Sequence, residues 1–434
     1  MKRVLALFAA IVAVAVGLVV TISKPAAPRF PRVAMYGNFR PLAPGASIDT
    51  AAVRLMAKWD VVILDPPRGW RSGAIDLLRR YNRSITLLAY FMGGRNFACG
   101  WGWQGQSPPD PGCDTTGGNL AWSRHVAIRA HDGYLWNTQG QPFSLYGAMG
   151  WIDFAKPGLA AALADTALAW ASGWPGIFSD EMVGLLRDAP GETLDFRRCG
   201  FESRAAWETA YSDGRRAYFA RLRQRTPAAI LVGNGGQLGP KDLLNGWMRE
   251  NFPHQNGNPA TWESNMLGWD VVPGDGGYLG DDTSYVKPTL CWLTTQRDGR
   301  ALDDPSFLRD CRFGLASATL AGGVWAPVGT DFDPLRGFLP LILDEYSVDA
   351  QGRADTTLAH KGWLGRPLGP CRRSGDLWRW DFERGVVLVN PNPFAVNASL
   401  GPGYWRIAGR GVNDSSSASA VLVPANDGLF LQRR

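Results

Sequence analysis

Eight short apolar runs, rich in β-branched and aromatic residues, recur between positions 32 and 329, with helix-like stretches between several of them. The runs are RVAMYGNF (32–39), WDVVILD (59–65), ITLLAYFMG (85–93), GIFSDE (176–181), AILVGNGG (229–236), GWMRENF (246–252), PTLCWLTT (288–295) and AGGVWAPVG (321–329). Between them, AAVRLMAKW (51–59), AIDLLRRYN (74–82), KPGLAAALADTALAWASG (156–173) and SRAAWETAYSDGRRAYFARLRQRT (203–226) repeat apolar residues at three and four positions. Strands that alternate with helices predict a parallel sheet covered on both faces. Eight such units in one chain favour closure into a (β/α)8 TIM barrel over an open, doubly wound sheet. The dinucleotide fingerprint is missing: GNGGQLG near Gly233 is glycine-rich but lacks the G-x-G-x-x-G spacing.

Beyond the eighth run the pattern changes to short alternating segments, LWRWDF (377–382), VVLVNP (386–391), YWRI (404–407), VLVP (421–424) and LFLQ (429–432), separated by Gly, Asn and Pro. This predicts a small all-β appendage over 371–434, after a barrel over 32–370. Residues 1–31 read as an export segment: Lys2 and Arg3, an uncharged apolar run over 4–22, then a proline-rich spacer. That run is long enough to serve as an uncleaved membrane tether or as a signal peptide.

An exported body gives the six cysteines an oxidising setting. Cys99 with Cys113 and Cys291 with Cys311 would close short local loops, leaving Cys199 with Cys371. Lys and Arg (45) exceed Asp and Glu (39) by six, but the excess is spread along the chain, so no nucleic-acid footprint emerges. The 19 Trp are more telling, because flat rings with a polar N–H suit both deep packing and stacking on sugar faces. The long connection between Gly93 and Gly176 holds several of them and is expected to wall one side of a cleft.

The acids at the strand ends carry the chemical reading. The run GIFSDE ends in Asp180 and Glu181, and GWMRENF carries Glu250 near its end. Acetal cleavage requires one carboxyl to protonate the leaving oxygen and another to attack the anomeric carbon or activate water. Asp180 and Glu250 are the expected catalytic pair, set against the alternative that strand-tip acids cap helices or pair with cations. Asp65, Glu181 and Asp331, with Asp333 nearby, stand at comparable ends and are expected to bind sugar hydroxyls or to fix loops. Tyr36, Tyr90, Trp292 and Trp325 are candidate inward aromatics; Asn234 ends its strand, and His254 follows Glu250 closely. The four His match no metal-binding spacing, no G-x-S-x-G elbow occurs, and no cofactor is implied. Asp281 and Asp282 in GDDTS support a weaker metal-hydrolase reading.

The order WDVVILD, ITLLAYF, GIFSDEM, RENFP, LDEYSVD, GWLGRPLGP and FERGVVLVNP resembles the hypothetical glycosyl hydrolase family 15 of the α-galactosidase-related barrel group, over about residues 32–394. The resemblance implies a (β/α)8 barrel with a β appendage, a nucleophile at the fourth strand tip and an acid/base at the sixth. Those positions fall on Asp180 and Glu250, with Glu standing where α-galactosidases use Asp. The expected function is therefore an exported, retaining glycoside hydrolase with a carbohydrate partner. The competing expectation is a non-catalytic carbohydrate-binding or envelope-scaffold protein on the same barrel.

Overall fold

The computed structural model describes residues 29–36, 50–64, 72–97, 120–144, 149–182, 186, 188, 193–234, 240–250, 252, 262, 266, 284–296, 299–328 and 341–434. The described elements begin with β1 (Ala34–Tyr36), α1 (Thr50–Met56), β2 (Val61–Leu64), α2 (Ser72–Tyr81) and β3 (Thr86–Met92). An excursion follows, comprising β4 (Arg95–Phe97), α3 (Leu120–Ala130), β5 (Met149–Trp151) and α4 (Leu159–Trp170). The alternation resumes with β6 (Gly176–Asp180), α5 (Arg204–Arg225), β7 (Ile230–Asn234), β8 (Gly246–Arg249), β9 (Trp292–Gln296), α6 (Pro305–Leu320) and β10 (Val324–Val328).

One eight-stranded sheet has the order β1-β2-β3-β6-β7-β8-β9-β10, and every pairing in it is parallel. It closes on itself where Val33 bridges Trp325, whose N–H donates to the Arg32 carbonyl at 3.3 Å. The fold is thus the expected (β/α)8 barrel, and one of its strands begins within each of the eight predicted runs.

Alternate side chains separate cleanly. Ala34, Val61, Ile63, Leu88, Tyr90, Phe178, Val232, Met248, Trp292, Val324 and Ala326 pack together inside the barrel. The intervening residues, among them Val62, Leu87, Phe91, Ile177, Leu231 and Leu293, pack outward in a second core beneath the helices. Both faces are dry, which is why the strand sequences read as continuous apolar runs rather than alternating ones.

The helices start where their sequences direct. Ser203 caps α5 by accepting from the Ala206 N–H at 3.2 Å. Asp304 caps α6 by accepting from Ser306 N at 2.8 Å and Phe307 N at 3.2 Å, with Pro305 at a first-turn position where its missing N–H costs nothing.

After the barrel come β11 (Arg372–Ser374), β12 (Leu377–Phe382), β13 (Gly385–Asn390), β14 (Val396–Ser399), β15 (Tyr404–Arg406), β16 (Ala420–Val423) and β17 (Asp427–Arg433). They form an antiparallel sheet of order β11-β12-β13-β17-β15 and a β14-β16 pair. Helix α6 is wedged between barrel and sheet, so its residues from Phe313 to Leu320 are buried all round. Gly428 makes this approach possible, since a Cβ there would stand 2.2 Å from that of Ala316. Across the same seam Arg312 donates to Asp427 at 2.6 Å, with the Asp427 side chain buried and that of Arg312 largely so.

The proposed disulfides of the described cysteines are not formed: Cys199, Cys291, Cys311 and Cys371 are all buried, and none is bonded to another of them. Loop length measures distance along the chain, whereas a disulfide needs two Cβ atoms to approach within about 4 Å with matched directions. Cys311 belongs to α6, Cys291 immediately precedes β9, Cys371 precedes β11, and Cys199 lies against Asp153. The Cys99 and Cys113 positions fall outside the described residues. Among the described residues no helix is long and apolar enough to cross a membrane.

The seam yields a stability prediction. Asp427→Ala leaves the Arg312 guanidinium buried without its partner, and is expected to destabilise the fold by about 3–5 kcal/mol, read as a lower urea midpoint. A shift within about 0.5 kcal/mol would mean that this ion pair does not hold the seam.

Candidate active site

Inward parity carries on past the ends of the strands. Asp180 shares its face with Phe178, Asn234 with Val232, and Glu250, the residue after β8, with Met248. Since β7 separates β6 from β8, the two backbones that supply Asp180 and Glu250 stand about 10 Å apart, close enough for inward side chains to converge.

Asp180 is 5% exposed and held by three donors. The Tyr90 hydroxyl donates to one carboxylate oxygen at 2.6 Å. The other oxygen accepts from the Asn234 amide at 2.8 Å and from the Glu181 backbone N–H at 2.8 Å. All three neighbours donate, so the carboxylate is fixed purely as an acceptor. Its own carbonyl accepts from Gly93 N at 2.8 Å and Gly94 N at 3.2 Å, tying the tip of β6 to the corner after β3.

Glu181 departs from the strand with a left-handed φ of 56°, a conformation that costs a non-glycine residue about 1–3 kcal/mol. The surroundings over-determine it. A Cβ on Gly94 would lie 1.7 Å from the Glu181 carbonyl oxygen, so only glycine fits beneath it. Met182 N donates to Asn234 O at 2.6 Å, and Arg215 donates to Met182 O at 2.6 Å. The Glu181 carboxylate forms an ion pair with Arg95, whose guanidinium also lies 5.3 Å from the centre of the Trp151 ring.

Electrostatically the three carboxyls form one system. Burial, then the charge of Asp180, pushes Glu250 up to about 7, with Glu181 adding to the rise and Asn234 and Arg95 opposing it. Burial, then Asp180, pushes Glu181 up to about 7 as well, opposed by Arg95. A carboxyl raised toward neutrality beside a fixed carboxylate can give and take a proton at ordinary pH, which is what general acid–base chemistry demands.

Tyr90, Asp180, Glu181, Asn234 and Glu250 are therefore gathered in one mouth. Trp292 points into the barrel but is fully buried in its packed centre, so it fills the core rather than forming a sugar platform. Trp325 corrects the expectation of an inward aromatic: flanked by the inward Val324 and Ala326, it faces outward, donates to Thr295 at 3.0 Å and packs against Tyr346. The side chains of Tyr36 and Asp65, with His254, Asp281, Asp282, Asp331 and Asp333, lie outside the described residues. Sequence reading missed Arg95, Gly93 and Gly94. The Gly-Gly-Arg step after ITLLAYFM marks a turn that delivers a cation to the strand tips.

Because Glu250 rises from the ordinary carboxyl range to about 7, the folded chain holds a proton that the unfolded chain releases from about pH 4 upward. Its effect is therefore to weaken the fold as pH climbs through that interval. Glu250→Gln is expected to raise the thermal midpoint at pH 8 and leave it nearly unchanged at pH 4. Equal shifts at both pH values would refute a buried charge at this position.

No protein-family model matches the chain, and no curated protein matches it in sequence. Among solved structures it is similar to Eubacterium rectale Amy13B, with 9% identity, 94% of this chain and 97% of that chain covered, and a TM-score of 0.49. It is similar to the glycoside hydrolase domain of PelA from Pseudomonas aeruginosa, with 13% identity, coverage of 69% and 94%, and a TM-score of 0.39. It is also similar to the GH36 alpha-galactosidase AgaA from Geobacillus stearothermophilus, with 12% identity, coverage of 88% and 52%, and a TM-score of 0.41. The second is named as a glycoside hydrolase domain and the third as an alpha-galactosidase; what this mouth does is argued from its own residues.

Proposed function

We propose that this protein is a glycoside hydrolase that cleaves a poly- or oligosaccharide, with Asp180 as nucleophile and Glu250 as acid/base. The observation that carries this reading is the contrast between the two acids in one mouth. Asp180 is fixed by three donors at or below 2.8 Å. Glu250 has weaker support for its charge and is pushed up to about 7. Two carboxyls whose surroundings set them apart fill the two roles that acetal hydrolysis requires.

In this mechanism Glu250 protonates the leaving oxygen while Asp180 attacks the anomeric carbon. The glycosyl ester is then opened by water that Glu250 deprotonates, so configuration is retained. Tyr90 and Asn234 aim the nucleophile, and Asn234 also faces Glu250, linking the two acids through one amide. We further propose that the body is exported, with the apolar run over 4–22 as signal or membrane tether.

The full chain, screened against bacterial exopolysaccharides, is expected to release reducing ends. Asp180→Asn should bring release to background, and Glu250→Gln should lower it by about 10²–10⁴-fold. The first product seen by proton NMR should keep the anomeric configuration of the substrate. Binding without release over long incubation, or full activity in Asp180→Asn, would overturn the assignment and favour a carbohydrate-binding scaffold.

A further inference from the structure

We infer that Arg95 is a positioning residue: it holds Glu181 as an ionised carboxylate beside Asp180 and so leaves the mouth's transferable proton on Glu250. This rests on the hydrolase reading for its purpose, but not for its test.

Three carboxyls meet in a buried mouth, where like charges cannot all ionise without cost. Among the described residues, the groups that face Glu250 are Asp180 and Glu181 at the tip of β6, Asn234 on β7 and Arg95 on β4; Tyr90 on β3 faces Asp180. The cation is not shared evenly. Arg95 forms its ion pair with Glu181, and only its longer-range field reaches Glu250. Burial and Asp180 push both glutamates up, so they compete for one proton, and the guanidinium, paired with Glu181, decides between them.

The geometry behind Arg95 is that of a fixed fixture rather than a mobile surface cation. Its side chain is 12% exposed. Its backbone is held by the β4–β5 pairing, in register with Trp151, over whose ring the guanidinium lies. Its carbonyl accepts from Arg124, a second buried guanidinium that lies 5.0 Å from the centre of the Phe91 ring. On the other side, the left-handed turn at Glu181 is fixed by Gly94, immediately before Arg95. Both members of the pair are thus set by backbone constraints, and their meeting does not depend on substrate.

The test uses the full chain with ¹³C-labelled glutamate carboxyls, read by isotope-edited infrared spectroscopy at pH 6 without substrate. The wild type is expected to show a buried protonated glutamate that disappears in Glu250→Gln and persists in Glu181→Gln. On an Arg95→Gln background the signal should instead persist on adding Glu250→Gln, because Glu181 then holds the proton. Arg95→Lys should retain the wild-type assignment, and Arg95→Met is the second charge-removing variant should glutamine prevent folding. The inference is overturned if the wild-type signal belongs to Glu181, or if removing the Arg95 charge leaves the proton on Glu250.

Turnover provides a separate readout. Arg95→Gln is expected to move the alkaline limb of kcat/KM down by about one pH unit, because the proton leaves Glu250. Arg95→Lys should restore it, and an unmoved limb in an otherwise active Arg95→Gln would count against the role. Absence of any glycan cleavage would defeat the hydrolase reading while leaving the infrared result to decide the proton's location.

Discussion

The bridge between Val33 and Trp325 turns a curved sheet into a barrel, and the acidic mouth depends on that closure. Once the first and last strands pair in parallel, every strand ends at the same rim, and each strand's alternation is locked to inside or outside. A slip of one residue at the ends of β6, β7 and β8 would turn Ser179, Gly233 and Arg249 toward the mouth in place of Asp180, Asn234 and Glu250. The outward residues are themselves committed: Ser179 bonds the Tyr218 hydroxyl on α5 at 3.0 Å, and Gly233 leaves room for the Trp247 ring. Packing under the helices thus fixes which acids converge above the barrel.

The site built on that register joins rigidity with electrical tension. Asp180 is satisfied on every side, whereas Glu181 and Glu250 are both taken out of water beside it. Backbone elements from three strands absorb the cost. The Gly93–Gly94 corner reaches the Asp180 carbonyl, the carbonyl of Asn234 accepts from Met182, and Arg215 reaches up from α5 to the Met182 carbonyl. A side chain at position 94 would break this arrangement, which is the physical meaning of the double glycine after β3.

Much of the fold was legible in the sequence. Parallel strands buried on both faces must be apolar along their whole length, and such runs stand out when helix-like stretches separate them. The placement of Asp180 and Glu250 at strand tips was legible for the same reason, since a polar residue ending an apolar run has to lie at the edge of the core. The same property hid other things. A run such as GGVWAPV has no polar alternation to say which residues face inward, so the outward Trp325 could not be told from an inward one. The pairings of the four described thiols were misread because separation along the chain says nothing of direction in space. Arg95 gave no signal of its own, because it reaches the tip of β6 through a β4–β5 pairing whose strands are more than fifty residues apart in sequence.

The path of the chain just before β1 has a consequence for how the molecule sits in its surroundings. Phe30 is fully buried, exchanges backbone hydrogen bonds with Leu364 and Gly365, and lies 5.6 Å from the ring centres of both Trp380 and Phe382. The polypeptide therefore enters at the end of the barrel opposite its acidic rim, stapled there to the β appendage. Anything attached ahead of Arg29 pulls on the floor of the barrel, and a surface that held the protein by that end would leave the rim facing outward.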